Sequence, residues 1–277
     1  MYLRKLSSVA YRTGLIAIAV LELFSVQNAG AQSTDLTGIA HVALRVNDLQ
    51  KSQAFYKTLG YEEAFSFTDN GKVSVSYVKV NDRQFIELIP RSNDAQPRGI
   101  LHTCFEVADI KVLHKAYVER NLQPTEPRQA RAGNLLFVMH GPDNQLLEYT
   151  QYMPDSLHSQ SRGKHLLPNR VSTHMVEATT PVRDLAAERS YYTGKLAFKS
   201  AGSDENVMYI AGNSGDKVEL QADSPAAKPR VVFEVTNVGQ AARELRSRGL
   251  KVQKSRHAVS VTDPDGAVII FAASHGG

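Results

Sequence analysis

The feature that most limits the fold is a short strand-like stretch that occurs four times along the chain. Its first copy, residues 38–46, alternates apolar side chains with a second set that includes His41. This period of two is typical of a β-strand with two different faces. Altered copies begin at Ile100, Val171 and Arg230, and each opens a similar block of strand, helix and further strands. The chain is therefore predicted to contain four copies of one module, and its function depends on which copies keep their polar residues.

Each module is predicted to have the order βαβββ. In the first, Asn47 or Asp48 can cap a helix that runs to Leu59 and ends at Gly60. Turn residues then separate three further strands, which are predicted at residues 61–67, 72–80 and 83–89. A repeat unit of this length favours pairing of modules over an open array.

The later modules follow the same plan. The third has its first strand at 171–176 and a helix from about Val182 to Tyr192. In the fourth, Asn237 caps an amphipathic helix. The turn at 263–266 matches the turn at 141–144 of the second module in position and kind.

The N-terminus differs from the rest of the chain. Basic residues precede an apolar run at 14–24, and small residues at 29–31 offer a cleavage site before Gln32. This is the layout of a secretory signal peptide, and the run is too short to span a bilayer. We predict that residues 1–31 are removed and that the mature protein is exported to the periplasm or secreted, with no membrane segment.

Composition excludes some classes of protein. The chain is 42% hydrophobic and 22% charged, which suits a soluble globular protein. Its formal charge is +4, and Arg4, Lys5 and Arg12 against Glu22 account for +2 of it. The remaining +2 and the absence of a basic stripe argue against nucleic acid as a partner. Cys104 is the only cysteine, so no internal disulfide can form.

Two pairs of polar residues recur at matched places. His41 and Glu87 are 46 residues apart, and so are His102 and Glu148. Each of the first two modules thus offers a histidine on its first strand and a glutamate on its last. If the two modules pair, the four side chains converge on one concave surface, and two imidazoles with two carboxylates suit a divalent transition metal. A metal would also supply the partner that carboxylates on apolar strand faces need.

These motifs resemble the vicinal oxygen chelate superfamily, which includes glyoxalase I, methylmalonyl-CoA epimerase, extradiol dioxygenases, and the fosfomycin and bleomycin resistance proteins. The segments that carry the resemblance are 41–48, 55–60, 141–148 and 191–198. The resemblance implies an α+β fold in which four βαβββ modules pair into two glyoxalase-like domains, each an eight-stranded open cup. The ligand positions of the superfamily match His41, Glu87, His102 and Glu148.

The resemblance gives the following domain organisation. Residues 33–153 form a first, metal-binding domain, residues 154–169 a linker, and residues 170–275 a second domain.

The second domain is predicted to have lost its metal site. His174 and Glu219, 45 residues apart, repeat the pattern of the first module. The other two ligand positions hold Arg230 and Ile270 when the sequences are aligned on matching motifs. Two ligands are too few for a firm site, so we predict one metal ion per chain; the residues do not distinguish Zn, Ni, Co, Mn or Fe.

The resemblance implies a glyoxalase I-like lyase or isomerase acting on a small-molecule substrate with two adjacent oxygens. Glu148 or Glu87 would then carry a proton between carbons. An extradiol-type dioxygenase is one alternative, although those enzymes use two histidines and one glutamate, commonly in the C-terminal half. A non-catalytic cup that sequesters a ligand or drug is another. The use of glutathione or another thiol, and a homodimer, are left open.

Overall fold

The computed structural model describes residues 36–212, 215–224 and 226–273. The predicted signal peptide, residues 1–31, lies outside these ranges. Among the helices within them, none is long and apolar enough to span a membrane.

The first two modules form one sheet. The first module consists of β1 (Leu36–Val46), α1 (Leu49–Thr58), β2 (Glu62–Asp69), β3 (Lys72–Lys79) and β4 (Phe85–Pro90). The second consists of β5 (Gly99–Val107), α2 (Ile110–Glu119), β6 (Arg128–Gln129), β7 (Leu135–His140) and β8 (Leu146–Gln151). Their eight strands have the order β2-β3-β4-β1-β5-β8-β7-β6. Strand β1 pairs with β5 in antiparallel fashion and so joins the modules, and the four ligand strands β4, β1, β5 and β8 are neighbours.

The last two modules repeat this arrangement after a short linker helix, α3 (Leu157–Gln160). The third module consists of β9 (Met175–Val182), α4 (Leu185–Gly194), β10 (Lys199–Ser200), β11 (Val207–Tyr209) and β12 (Lys217–Ala222). The fourth consists of β13 (Arg230–Val235), α5 (Val238–Ser247), β14 (Gln253–Lys254), β15 (Ala258–Thr262) and β16 (Val268–Ala273). The strand order β10-β11-β12-β9-β13-β16-β15-β14 is that of the first sheet. The predicted α+β fold of four paired modules is therefore confirmed.

Capping side chains fix where the helices begin. Asp48 accepts a hydrogen bond from the backbone N–H of Lys51, and Asp109 and Asp184 cap α2 and α4 in the same way. Because Asp184 caps it, α4 begins at Leu185 and not at about Val182 as predicted.

The start of the third module also differs from the prediction. Its first strand begins at Met175, and the predicted strand residues Val171 to His174 precede it. The Ser172 hydroxyl donates a 2.6 Å hydrogen bond to the Glu234 carbonyl and accepts one of 3.2 Å from the backbone N–H of His174. This side-chain bonding competes with strand pairing, so the ladder starts one residue after His174.

The two domains share a packed boundary. The Tyr61 ring stacks on Phe233 with centroids 5.4 Å apart. The Gln84 amide donates to the Met175 carbonyl and accepts from the Met175 N–H, both at 2.8 Å. A buried amide with both groups satisfied fixes one domain against the other.

Candidate metal centre

Strand register brings three of the predicted ligands close to Ala43 on β1. Ala43 lies beside Glu87 on β4 and beside His102 on β5, and His41 lies two residues earlier on the same face of β1. Because Ala43 has a small side chain, the space between its neighbours remains for their functional groups. The fourth predicted ligand, Glu148, lies beside Cys104, two residues beyond His102 on β5.

The functional atoms of these four side chains meet. His41 Nε2 lies 3.2 Å from His102 Nε2. The same atom lies 3.3 Å from Glu87 Oε2 and 3.6 Å from Glu148 Oε1. His102 Nε2 lies 3.5 Å from Glu87 Oε2 and 3.8 Å from Glu148 Oε2. The structure thus brings together all four residues that the sequence selects.

These separations fit a shared metal ion. Ligand atoms about 2.1 Å from a transition metal, at octahedral or tetrahedral angles, lie roughly 3.0–3.4 Å from one another. The observed spacings of 3.2–3.8 Å are close to that range. Two imidazole nitrogens and two carboxylates are also a donor set that suits Zn, Mn, Fe, Co or Ni. The donors therefore fit one divalent ion at their centre.

The cluster is buried, and its charges are strongly coupled. Burial lowers the pKa of His41, but the charge and hydrogen bond of Glu87 and the charge of Glu148 outweigh it, so the pKa is raised from 6.5. Burial raises the pKa of Glu87, but His41, His102 and a hydrogen bond from Tyr77 outweigh it and hold the pKa at about 2. The pKa of His102 is lowered by burial, against the attraction of Glu148 and together with repulsion from His41. A cluster that keeps a carboxylate ionised and one imidazole neutral attracts a cation.

The two carboxylates differ in how they are held. The Tyr77 hydroxyl donates a 2.6 Å hydrogen bond to Glu87 Oε1, which leaves Oε2 for the cluster. Among the described residues no phenol donates to Glu148 in this way, and its side chain is 15% exposed against 9% for Glu87. Glu87 is the anchored carboxylate and Glu148 the more accessible one.

Cys104 lies next to the cluster. Its sulfur, a ring nitrogen of His41 and a carboxylate oxygen of Glu148 all lie within 4.8 Å of one another. The thiol is fully buried, and burial, followed by the charge of Glu148, raises its pKa well above the usual value. The Cys104 thiol is therefore protonated in the absence of a metal ion.

One more charged side chain lies on the ligand face of β1. Arg45 is two residues beyond Ala43 and lies beside Ile89 on β4. It is half-buried, and within the described residues it has no hydrogen bond or ion pair. A guanidinium on the same strand face as the cluster, without a partner among the described residues, is suited to bind an anionic group.

In the second sheet, the position of His41 belongs to a different residue from the one predicted. In the first sheet, Phe85 precedes Glu87 by two residues and lies beside His41. In the second sheet, Lys217 precedes Glu219 by two residues and lies beside Glu177. The prediction that His174 takes this place is corrected to Glu177, because β9 begins after His174.

Two cations of the chain pair with the carboxylates of this second cup. Arg230 pairs with Glu219 through two nitrogens, with Nε 3.0 Å from Oε2. Lys217 Nζ lies 3.6 Å from Glu177 Oε2. Arg230 lies beside Val268, as His102 lies beside Leu146, and Ile270, two residues further along, holds the position of Glu148. The aligned positions thus hold Glu177, Glu219, Arg230 and Ile270, and each of the two carboxylates is paired with a cation of the chain.

His174 joins the domains instead. Its Nε2 lies 2.9 Å from Asp216 Oδ1, and the other Asp216 oxygen accepts a 2.9 Å hydrogen bond from the backbone N–H of Ile39. The hydrogen bond with Asp216 is the main cause of the raised pKa of His174. This histidine has a structural contact at the domain boundary.

The structure adds residues around the cluster that sequence reasoning missed. Tyr77 could have been found, because it lies beside Glu87 in the register of β3 and β4. His158 lies in the linker, where no periodic pattern pointed to it, yet it is only 2% exposed. Lys79 is fully buried with its Nζ 2.8 Å from Asp82 Oδ1.

The paired βαβββ modules define a two-domain α+β protein whose first cup carries a convergent cluster of histidines and glutamates. Residues 40–137 match the model of the "Glyoxalase/Bleomycin resistance protein/Dioxygenase superfamily". This match covers most of the first domain, and there the resemblance to the vicinal oxygen chelate superfamily that the motifs predict is confirmed. A search of curated proteins found no match.

Solved structures share the fold over most of the chain. The 2,3-dioxygenase LapB from Pseudomonas sp. KL28 is 16% identical with a TM-score of 0.67, over 88% of this chain and 94% of that one. The Mn(II)-bound glyoxalase from Novosphingobium aromaticivorans is 14% identical with a TM-score of 0.65, over 87% and 83%. Homoprotocatechuate 2,3-dioxygenase from Arthrobacter globiformis is 13% identical with a TM-score of 0.62, over 87% and 81%. At these identities the likeness concerns the fold alone.

Proposed function

We propose that this protein is an exported, metal-dependent enzyme of the glyoxalase type, a lyase or isomerase that acts on a small substrate with two adjacent oxygens. The observation that carries the proposal is the unequal hold on the two carboxylates of a four-donor cluster. Tyr77 anchors Glu87 at 2.6 Å, whereas Glu148 is more exposed and receives no hydrogen bond from a phenol among the described residues. A cluster with one fixed and one less constrained carboxylate suits proton transfer.

The residues that would hold the ion are His41, Glu87, His102 and Glu148. When bound, a divalent metal would act as a Lewis acid toward the substrate oxygens and make a neighbouring C–H more acidic. The Mn(II) in the glyoxalase relative supports a divalent ion of this kind.

We assign the transfer of the proton between substrate carbons to Glu148. Its carboxylate takes a proton from the carbon beside one substrate carbonyl, and the electron pair of the broken C–H bond is delocalised onto the carbonyl oxygen. It then returns the proton to the adjacent carbon, so the substrate is isomerised with no net oxidation. Glu87 stays in place through the hydrogen bond from Tyr77, whose ring stacks on that of Phe65 with centroids 4.7 Å apart.

Arg45 indicates a further property of the substrate. It lies on the ligand face of β1 and is half-buried without an ion pair among the described residues. A guanidinium in this state favours a substrate that carries a carboxylate or another anionic group in addition to its two oxygens.

An extradiol-type dioxygenase is the second candidate. It is supported by the similarity of the fold to the LapB dioxygenase, which covers 94% of that chain. Against it stands Glu87, a carboxylate beyond the two histidines and one glutamate that the resemblance implies for those enzymes. A cup that sequesters a ligand without turnover is the third candidate.

The decisive experiment combines metal analysis with turnover. The mature protein is loaded with each divalent metal in turn and assayed with a dicarbonyl–thiol adduct in D2O and with a catechol under oxygen. Exchange of a substrate hydrogen without oxygen uptake supports the isomerase or lyase. Oxygen uptake would instead support the dioxygenase. Tight binding without turnover would support the sequestering cup.

Variants then separate binding from chemistry. Glu148→Gln keeps an oxygen donor but removes the base, so we expect most of the metal to remain and turnover to fall by about 100-fold or more. His102→Ala should lose metal and turnover together. Tyr152→Phe, which keeps the ring and removes a hydroxyl that bonds the Arg83 carbonyl at 3.0 Å, is a matched control and should keep both. If the Glu148→Gln protein has the metal content and turnover rate of the parent protein, Glu148 is not the proton-transferring residue.

Export is a separate part of the proposal. It rests on the basic, apolar and small-residue segments of residues 1–31. N-terminal sequencing of the protein from its secreting host should give Gln32 or a neighbouring residue. A cytoplasmic product that keeps Met1 would refute this part and leave the enzymatic part standing.

A further inference from the structure

The linker places an imidazole inside the first domain. His158 on α3 is 2% exposed, with its Nδ1 2.9 Å from Asn134 Nδ2. Its ring stacks on Tyr152 at 4.8 Å. It meets three other rings nearly edge-on, with centroids 4.7–5.0 Å away and interplanar angles of 82–88°. These three rings belong to Phe65, Tyr77 and Phe85.

The Tyr77 ring is held on several sides as a result. Phe65 stacks on it at 4.7 Å and 26°. His158 meets it at 5.0 Å and 82°, and the ligand His41 at 5.9 Å and 84°. Stacked and edge-to-face contacts at these distances are favourable and restrict a ring to one orientation. In that orientation the Tyr77 hydroxyl reaches Glu87 Oε1 at 2.6 Å.

The linker segment that carries His158 is itself fixed to the first domain. The backbone N–H of Leu157 donates to the Ala132 carbonyl at 2.9 Å. The backbone N–H of Gly163 donates to Asp82 Oδ1 at 2.8 Å. The fully buried Lys79 ammonium pairs with that aspartate and donates to the Ser161 carbonyl. Contacts before and after His158 therefore hold its ring against Tyr77.

We propose that His158 is a positioning residue: through the Tyr77 ring it keeps Glu87 fixed in the metal cluster and so leaves Glu148 as the carboxylate that moves the proton. This inference rests on the proposed function. It gives the linker between the domains a role in the chemistry of the first cup. The role depends on the shape of the ring, because no hydrogen bond to His158 Nε2 is found among the described residues.

The test uses the full-length mature protein loaded with Co(II), whose visible absorption reports the ligands around the ion. Tyr77→Phe removes the hydrogen bond to Glu87 directly. His158→Ala removes the ring that holds Tyr77. We expect both variants to bind cobalt, to shift the cobalt spectrum in the same direction and to lower kcat by about 10-fold, the effect of losing a hydrogen bond to a charged group. KM should change by less than about 2-fold, since neither residue is assigned to substrate binding.

His158→Phe separates ring shape from imidazole chemistry and from folding. A phenyl ring keeps the edge-on contacts, so this variant should have the cobalt spectrum and kcat of the parent protein. His114→Ala is the matched control: His114 also meets an aromatic ring edge-on, Phe137 at 5.6 Å and 72°, on helix α2. It should leave the cobalt spectrum unchanged. Far-UV circular dichroism checks that each variant is folded.

Two results would overturn the inference. One is a His158→Ala protein with the parent spectrum and kcat. The other is a His158→Phe protein that is folded but as impaired as His158→Ala, which would assign the effect to the imidazole nitrogens. Failure of the parent protein to bind cobalt at all would refute the proposed metal site, a different result from either.

Discussion

The burial of His158 predicts a specific dependence of stability on pH. Burial, aided by the positive charges of His41 and Lys79 and opposed by Glu87, lowers the pKa of His158 from 6.5 to about 3. The unfolded chain therefore binds a proton at His158 at pH values where the folded chain does not. The free energy of unfolding consequently falls as the pH drops from about 6.5 toward 3, by up to about 1.4 kcal/mol per pH unit from this residue alone.

The magnitude can be worked out for an accessible range. With a pKa of 6.5 in the unfolded chain and about 3 in the folded one, the contribution of His158 changes by about 2 kcal/mol between pH 7 and pH 5. His158→Phe removes this titration and keeps an aromatic ring. The stability of the variant relative to the parent protein should therefore improve by about 2 kcal/mol over the same two pH units.

Urea unfolding at pH 7, 6 and 5 measures this difference, with a chelator in all samples so that metal binding does not contribute. The other titrating groups are common to both proteins and cancel in the comparison. Phe65→Leu is the control, because it perturbs a ring that contacts His158 at 4.8 Å but removes no titrating group. Its stability should differ from the parent by the same amount at each pH. Parallel curves for His158→Phe and the parent protein would refute the assignment of a buried, neutral imidazole.

Three other predictions concern the rest of the molecule. The Cys104 thiol, buried and with a raised pKa, should not react with Ellman's reagent at pH 8 in the native protein, and one thiol per chain should react in urea; rapid native reaction would contradict the burial. Arg230→Ala leaves the half-buried Glu219 carboxylate without its partner and should lower stability by roughly 1–3 kcal/mol without changing the metal content, as urea unfolding and elemental analysis would show. Arg230→His combined with Ile270→Glu should raise the metal content from one to two equivalents per chain, because Glu177 and Glu219 would gain the two donors that the first cup has; an unchanged single equivalent would argue against the equivalence of the two cups.

The convergence of the four side chains could be predicted from the sequence, because it depends on the alternation of side chains along each strand and on the recurrence of the same module. His41 and Glu87 lie on the first and last strands of one module, and His102 and Glu148 repeat the arrangement at the same separation of 46 residues. In a strand, alternation fixes the face of each side chain, and pairing of like modules brings like faces together. The same logic predicted the fold, since each module carries its own turns and caps.

The surroundings of the cluster could not be predicted in this way. The linker has no strand or helix period, so the burial of His158 among the side chains of three different strands and Tyr152 is a purely tertiary fact. The start of β9 depended on a single side chain, Ser172, whose hydroxyl bonds the backbone of a distant strand. A shift of the strand start by a few residues was enough to suggest His174 where Glu177 belongs.

The two cups solve one electrostatic problem in different ways. In the second, Glu177 and Glu219 each face a cation of the chain, so the carboxylates are neutralised without a ligand. In the first, two carboxylates face two imidazoles whose Nε2 atoms are 3.2 Å apart, a spacing at which repulsion opposes protonation of both rings. The two carboxylates of this buried site have no Lys or Arg partner among the described residues, so a divalent cation bound to the two imidazole nitrogens would supply the balancing charge. Arg230 at a histidine position removes one ligand and also places a positive charge beside Glu219, and for both reasons we expect the second cup to bind no metal ion.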